Sequence, residues 1–380
     1  MKFVIQQEEL QKALDIIANV VPSKTTLPIL TCVLIEAQDG RLKLSATNLD
    51  ISITTSTDQV EIKDEGRVAL PGVRFIPYVR NLRPGPVTVV QTGEQVRIES
   101  GKGSKLTENT MNVEEYPALK ELEEKDGLDI EASLLIDMIN ETQYSVSRDE
   151  TRPALMGILW ELRPDSLTLV ATDAHRLARS RREMNWTHSG DKDMIVDTAG
   201  LRQLPRIAAA LKDDEEASGN ITMFMGSNQL SFRAGNSVLY TRLLEGPFPD
   251  YNAVIPKGND KDVTVDKADF MQSIRRVSIS ADRITSQIKL GVESGRMELS
   301  AKGTDGTQAE DEIPVGYEGD AMEIGFNYGY LQDILKNIRA DSVVLSMQDS
   351  ANAALIKPVG DDGVETGLLC LLMPLRLAGD

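Results

Sequence analysis

A pattern that recurs along a chain constrains its fold more than any other feature, because each copy must bury the same face in the same way. Residues 40–50 (GRLKLSATNLD), 165–175 (DSLTLVATDAH) and 295–305 (GRMELSAKGTD) each open on a turn residue, alternate apolar with polar positions and end in a small polar break. Leu44, Leu169 and Leu299 mark the same point of the pattern, so the repeat is about 125 to 130 residues long. The flanks repeat as well. An apolar strand precedes each copy, CVLIEA (32–37), GILWEL (157–162) and IKLGVE (288–293), and a helical pattern precedes that strand. These patterns are 8–20 with Leu10, Ala13, Leu14 and Ile17; 132–146 with Leu134, Leu135, Met138 and Thr142; and 267–279 with Phe270, Ile274 and Val277. Apolar spacings of three and four put one stripe of each helix against a sheet. Downstream come a second helical pattern, at 72–82, 199–211 and 328–339, and then a hairpin of period-two alternation.

Helix, strands, helix, strands therefore occurs three times. This predicts an α+β chain of three like domains, residues 1–127, 128–257 and 258–380, each with two helices packed on antiparallel sheets. A length of 380 residues fits two or three domains. A short array of such units leaves strand edges unpaired at both ends. Two copies joined head to tail would pair those edges and close a ring.

The chain carries 59 acids against 41 Lys and Arg, a formal charge of −18. That total argues against a general nucleic-acid binder, but the distribution does not. Acids gather at 114–129, 212–218, 258–262, 304–312 and 360–365. The second helix of each repeat is instead basic. Segment 72–83 holds Arg74, Arg80 and Arg83 with no acid, and 199–212 holds Arg202, Arg206 and Lys212 with none. In 328–339, Gln332, Lys336 and Arg339 lie opposite Leu331, Ile334, Leu335 and Ile338. Solvated faces would explain any one of these runs. Together they predict a ring with a positive lining and a negative rim, able to hold a polyanion by its phosphates without reading bases.

Segment 171–180, ATDAHRLARS, places Asp173, His175 and Arg176 close together, and raises the question of a hydrolytic site. The other two repeats have no histidine there. No G-x-S-x-G elbow or metal-spaced cluster accompanies it, His188 stands alone, and GKGSK (101–105) lacks the phosphate-loop frame. A turn cap is the plainer reading of Asp173. Cys32 and Cys370 sit in apolar runs and read as buried, reduced thiols of an intracellular protein. No apolar run reaches the roughly 18 residues of a membrane span, and the start, MKFVIQQEEL, is not a signal peptide.

TDAHRLA (172–178) resembles the TD-small-HRLA motif of the bacterial DNA polymerase III beta subunit, the sliding-clamp family. The resemblance covers the chain, through MKF at the start, TLPIL (26–30), EGPFPDY (245–251), MEIGFN (322–327) and LLMPLRL (371–377). It implies a homodimeric six-domain ring around duplex DNA, with no catalysis and no cofactor of its own. The implied partners are the polymerase III alpha subunit, an ATP-driven clamp loader and other proteins bearing a clamp-binding motif, all in the cytoplasm. It also implies a pocket for such motifs at Leu155, Thr172, His175, Arg176, Leu177, Pro249, Val254, Leu371, Met373, Pro374, Leu375, Arg376 and Leu377. Apolar and Met side chains make an adaptable groove for Leu or Phe anchors. For DNA it implies Lys24 beside the basic helices, with Arg148 placed to compensate in the loop 147–154, and for the dimer contact Lys105 and Leu106 against Ile279. Three departures stand out: a tail, Ala378 to Asp380, beyond MPLRL; Ala253 where a basic residue is usual; and Pro153 and Ala154 in a loop that some relatives use on DNA. The competing readings are an acidic protein-binding scaffold that encircles nothing and a hydrolase using Asp173 and His175.

Overall fold

A computed structural model describes residues 1–101, 103–119, 125–184, 186, 190–209, 211, 219–359 and 367–377. His188, the run 212–218 with Lys212, residues 120–124 of the acidic run 114–129, all of 360–365 and the tail Ala378 to Asp380 lie outside the described residues. The helices are α1 (Gln7–Ile17) and α2 (Gly72–Arg80) in the first repeat. The middle repeat has α3 (Ala132–Gln143), α4 (Thr198–Leu201) and α5 (Leu204–Ala209). The third has α6 (Lys267–Ser278) and α7 (Tyr328–Asn337).

The stripes read from the sequence are the buried faces, except that Leu134 of α3 is only half-buried. Leu10, Leu14 and Ile17 of α1 and Phe270, Ile274 and Val277 of α6 are all but inaccessible to water. Each such side chain contributes roughly 1.5–3 kcal/mol relative to its exposed state. The starts are capped where the sequence allows it. Asp266 accepts the Asp269 N–H at 2.9 Å ahead of α6, and Asn327 accepts those of Gly329 and Tyr330 at 2.9 and 3.2 Å ahead of α7.

One helix is not continuous. The pattern at 199–211 predicts a single element, but the chain breaks between α4 and α5. Pro205 has no N–H to give the Leu201 carbonyl and its ring collides there, so α4 stops and α5 restarts with the proline in its first turn. The N–H groups of Arg206 and Ile207 turn to the Gln203 carbonyl instead, at 3.0 and 3.3 Å. Arg202 and Arg206 therefore do not share a face by helical spacing, though both remain exposed. Arg83 and Arg339 likewise lie just past the ends of α2 and α7 rather than on them.

Two compact units divide the chain, residues 1–136 with 196–243, and residues 137–195 with 244–380. Each holds an outer repeat and part of the middle one. The first unit has a five-stranded antiparallel sheet in the order Val60–Asp64, Lys2–Gln6, Pro86–Thr92, Gln95–Ser100, Ser104–Asn109. In its second sheet, Ile51–Thr57 of the first repeat pairs with Ser237–Leu244 of the middle repeat, Ile51 opposite Thr241. The second unit has a four-stranded sheet in the order Gln308–Pro314, Arg296–Lys302, Gln287–Glu293, Met322–Asn327. There the junction recurs: Arg176–Glu183 pairs with Leu368–Leu372, Arg176 opposite Leu372. Cys32 and Cys370 are free and fully buried, and burial pushes their thiols up to about 11 and about 12.

Candidate functional site

The TDAHR segment forms a turn held by its own side chains. Asp173 Oδ1 accepts the backbone N–H groups of His175 and Arg176, both at 2.9 Å, and Oδ2 accepts Arg176 Nε at 3.0 Å. Thr172 Oγ1 donates to the Arg176 carbonyl at 2.7 Å and accepts the Ala174 N–H at 3.2 Å. The arrangement holds Ala174 at φ +77°, a conformation a small side chain tolerates better than a branched one. Three acceptor positions of Asp173 are thus used within the turn, and the residue acts as the turn's cap.

Arg176 ties the turn to α7. Its Nη1 donates to Asp333 Oδ2 at 2.7 Å, and its guanidinium lies over Tyr330, 4.4 Å from the ring centre, and over Tyr144, at 5.5 Å. It is only 8% exposed, so these partners replace the water a buried charge would lose. Exposed His175 stacks on the same Tyr330 ring with centroids 6.3 Å apart. Tyr330 and Asp333 belong to this site but do not show in the sequence near it, since they lie more than a hundred residues away on a helix whose polar face reads as basic.

Behind the turn the chain builds an apolar floor. Leu177 and Leu371 face each other across paired strands. They join one buried cluster with Leu159, Leu355, Leu369 and Tyr251, against which Phe248 and Ile255 pack. Those two flank exposed Pro249 and Val254, the latter 57% exposed. Leu155 is buried at the end of the 147–155 loop, where its carbonyl accepts the Ser147 N–H at 2.8 Å. Past Leu372 the chain leaves the sheet. Met373, 41% exposed, donates its N–H to the His175 carbonyl at 2.9 Å, and Leu375 donates to the Gly325 carbonyl at 2.8 Å. Gln287 Nε2 donates to the Arg376 carbonyl at 2.9 Å, while Pro374, Leu375 and Leu377 stay half-buried. Gly325 permits this crossing, because a Cβ there would fall 2.7 Å from the Leu375 carbonyl oxygen.

The basic candidates divide into open and paired groups. Lys24, Arg83, Arg148, Arg202 and Lys336 are exposed. Arg80 binds Asp15 of α1 through Nε at 2.7 Å, and Arg206 Nη1 reaches the Asp15 carbonyl at 3.2 Å. Arg339 pairs with Asp137. Arg74 grips the nearly buried Glu108 with two nitrogens and holds its carboxyl below the usual range. Lys105 and Leu106 lie on Ser104–Asn109, the outer strand of its sheet, and Ile279, just past α6, is 85% exposed. No group of metal-ligating side chains occurs among the described residues.

Family models of the DNA polymerase III beta subunit match along the chain: the N-terminal domain at 1–120, the central domain at 129–250 and the C-terminal domain at 252–375. A beta sliding clamp of Staphylococcus aureus is 31% identical over 387 residues, covering 99% of each chain. The chain belongs to the DNA polymerase III beta subunit family. Solved sliding clamps superpose on its whole length. That of Bacillus subtilis has a TM-score of 0.90 at 27% identity with 100% of both chains covered. That of Bartonella birtlesii, bound to griselimycin, gives 0.90 at 30% identity with 99% of this chain and 100% of that one covered. As a sliding clamp the protein is a non-catalytic processivity factor that serves DNA polymerase III. Its three clamp domains are those of a family that closes head to tail as a dimer into a six-domain ring.

Proposed function

We propose that the floor, the turn and the terminal segment form the pocket by which this clamp holds short motifs of the replicative polymerase, the clamp loader and other DNA-metabolism proteins. The observation that carries this is the pairing of a rigid, capped turn (172–176) with a hydrogen-bonded tail (373–377) over a leucine floor. Leu155, Leu177 and Leu371 supply the floor, Thr172 and Arg176 hold the turn, and His175, Pro249, Val254, Met373, Pro374, Leu375, Arg376 and Leu377 form the rim. An adaptable apolar groove of this kind accepts Leu and Phe anchors from an extended peptide. Lys24, Arg74, Arg80, Arg83, Arg148, Arg202, Arg206, Lys336 and Arg339 face duplex DNA and contact phosphates without base preference. Lys105 and Leu106 meet Ile279 of a second copy across the dimer contact. The domains run 1–127, 128–257 and 258–380, and the protein works in the cytoplasm. No described helix is long and apolar enough to cross a membrane.

A fluorescein-labelled decapeptide ending in a Leu-Phe pair tests the pocket by anisotropy. Met373→Ala and Arg176→Ala are each expected to weaken its binding by about tenfold or more, the first by loss of a rim contact and the second by loosening the turn. Unchanged affinity in both variants contradicts the assignment.

A further inference from the structure

The turn beside the pocket has a twin in the other compact unit. Residues 47–51 (TNLDI) repeat the side-chain-to-backbone bonds of 172–176 (TDAHR), without the Arg176–Asp173 pair. Asn48 Oδ1 accepts the N–H groups of Asp50 and Ile51 at 3.1 and 2.8 Å, as Asp173 does for His175 and Arg176. Thr47 Oγ1 donates to the Ile51 carbonyl at 3.0 Å and accepts the Leu49 N–H at 3.1 Å, as Thr172 does one repeat later. The strand beyond repeats too. Ile51 faces Thr241 as Arg176 faces Leu372, and Arg242 donates its N–H to the Asp50 carbonyl at 3.1 Å as Met373 does to that of His175. Tyr116, like Tyr251, is 8% exposed and leads into the linker to the next repeat. Where this linker runs past the twin turn there is a cleft of about 280 Å³, lined among others by Leu49, Asp50, Pro117, Leu119, Tyr240 and Arg242.

Leu49 is the informative residue. It sits at φ +81°, a conformation that a branched side chain rarely adopts, and its side chain is left 58% exposed. Where the pocket has small Ala174 the cleft presents an apolar side chain, and where the pocket has His175 it presents a carboxylate. Asp50 is only loosely matched by Arg242, at 3.9 Å with both side chains 63% exposed. Glu115 stands just ahead of the linker wall, beside Glu114, which is paired with Arg67. A ligand complementary to this cleft brings one large apolar side chain for Leu49, Leu119 and Tyr240 and positive charge for Asp50.

We propose that this cleft is a second docking site, for an extended segment of a partner protein with a leucine-like anchor flanked by basic residues. The proposal rests on the reading of 172–177 and 371–377 as a peptide pocket, because it takes the same turn to serve the same end. It makes each copy of the clamp bivalent, so one partner carrying both kinds of motif would gain from the high effective concentration of the second.

The test uses the full-length protein and two fluorescein-labelled decapeptides: one with a single Leu between Lys residues, the other ending in Leu-Phe. Leu49→Asn keeps a residue that accepts positive φ, and Asp50→Lys alters an exposed side chain, so both leave the core and the turn's caps in place. Each is expected to weaken the Lys-flanked peptide by about tenfold and leave the Leu-Phe peptide unchanged. Met373→Ala is expected to do the reverse. The proposal is overturned by absence of saturable binding, by equal binding of a Glu-flanked version, or by loss of the Lys-flanked peptide in Met373→Ala rather than Leu49→Asn. Failure of the underlying pocket reading registers separately, as a Leu-Phe peptide indifferent to Met373→Ala.

Discussion

Arg176 shows how a binding site is ordered by a residue that need not touch the ligand. Its charge is spread over two carboxylates, Asp173 and Asp333, and two aromatic rings, which fixes the turn against α7. Half of that arrangement is legible in the sequence. A threonine and an aspartate ahead of a small residue signal a side-chain-capped turn, and that is what Asp173 makes. The other half is not, because Tyr330 and Asp333 become neighbours only when the third repeat packs, and no local pattern marks them. Glu108 is a second case. It sits on the outer strand Ser104–Asn109, and only the structure shows Arg74, itself still largely exposed, reaching its carboxylate. The hydrogen bond from Arg74 is the largest cause of its lowered pKa. A carboxyl depressed in the folded state stabilises fully above its unfolded pKa, and that contribution is lost as the pH falls through the folded value. The stability difference between the protein and a Glu108→Gln variant should therefore shrink between about pH 6 and pH 3 in urea titrations. A difference that stays constant over that window would place the effect in packing instead.

At the scale of elements, periodicity located the first helix of each repeat to within a few residues, because an amphipathic stripe is a strong and local signal. It failed at α4 and α5, where the apolar spacing continues through Pro205 but the backbone cannot. Any surface shared by Arg202 and Arg206 has to come from packing rather than from helical phase. The terminal segment depends on an element far from it in sequence. It crosses the strand Met322–Asn327 at Gly325, and MEIGFN reads as a plain buried strand until that crossing is seen. Gly325→Val should push the tail off its hydrogen bonds and weaken the Leu-Phe peptide by about tenfold. The cores are untouched, so the melting temperature should move by less than about 5 °C. Intact peptide affinity would mean that the tail's pose does not set the pocket.

For the whole molecule, the threefold repeat gave the architecture and the basic second helices gave the reason for it. An acidic chain whose second helical segments are net basic is suited to hold a polyanion there while its acidic runs repel it. The acidic-scaffold reading assigns those residues no role; the clamp reading requires them. Contacts to phosphates alone leave the protein free to slide, so retention has to come from topology rather than affinity. The decisive measurement is retention on nicked circular DNA, with the clamp loader and ATP supplied, before and after the circle is cut once. The protein should stay on the circle through gel filtration at moderate salt and run off the linear product, and Arg202→Glu with Arg206→Glu should lower the amount retained while leaving the dimer intact by light scattering. Equal retention on circular and linear DNA would contradict encirclement.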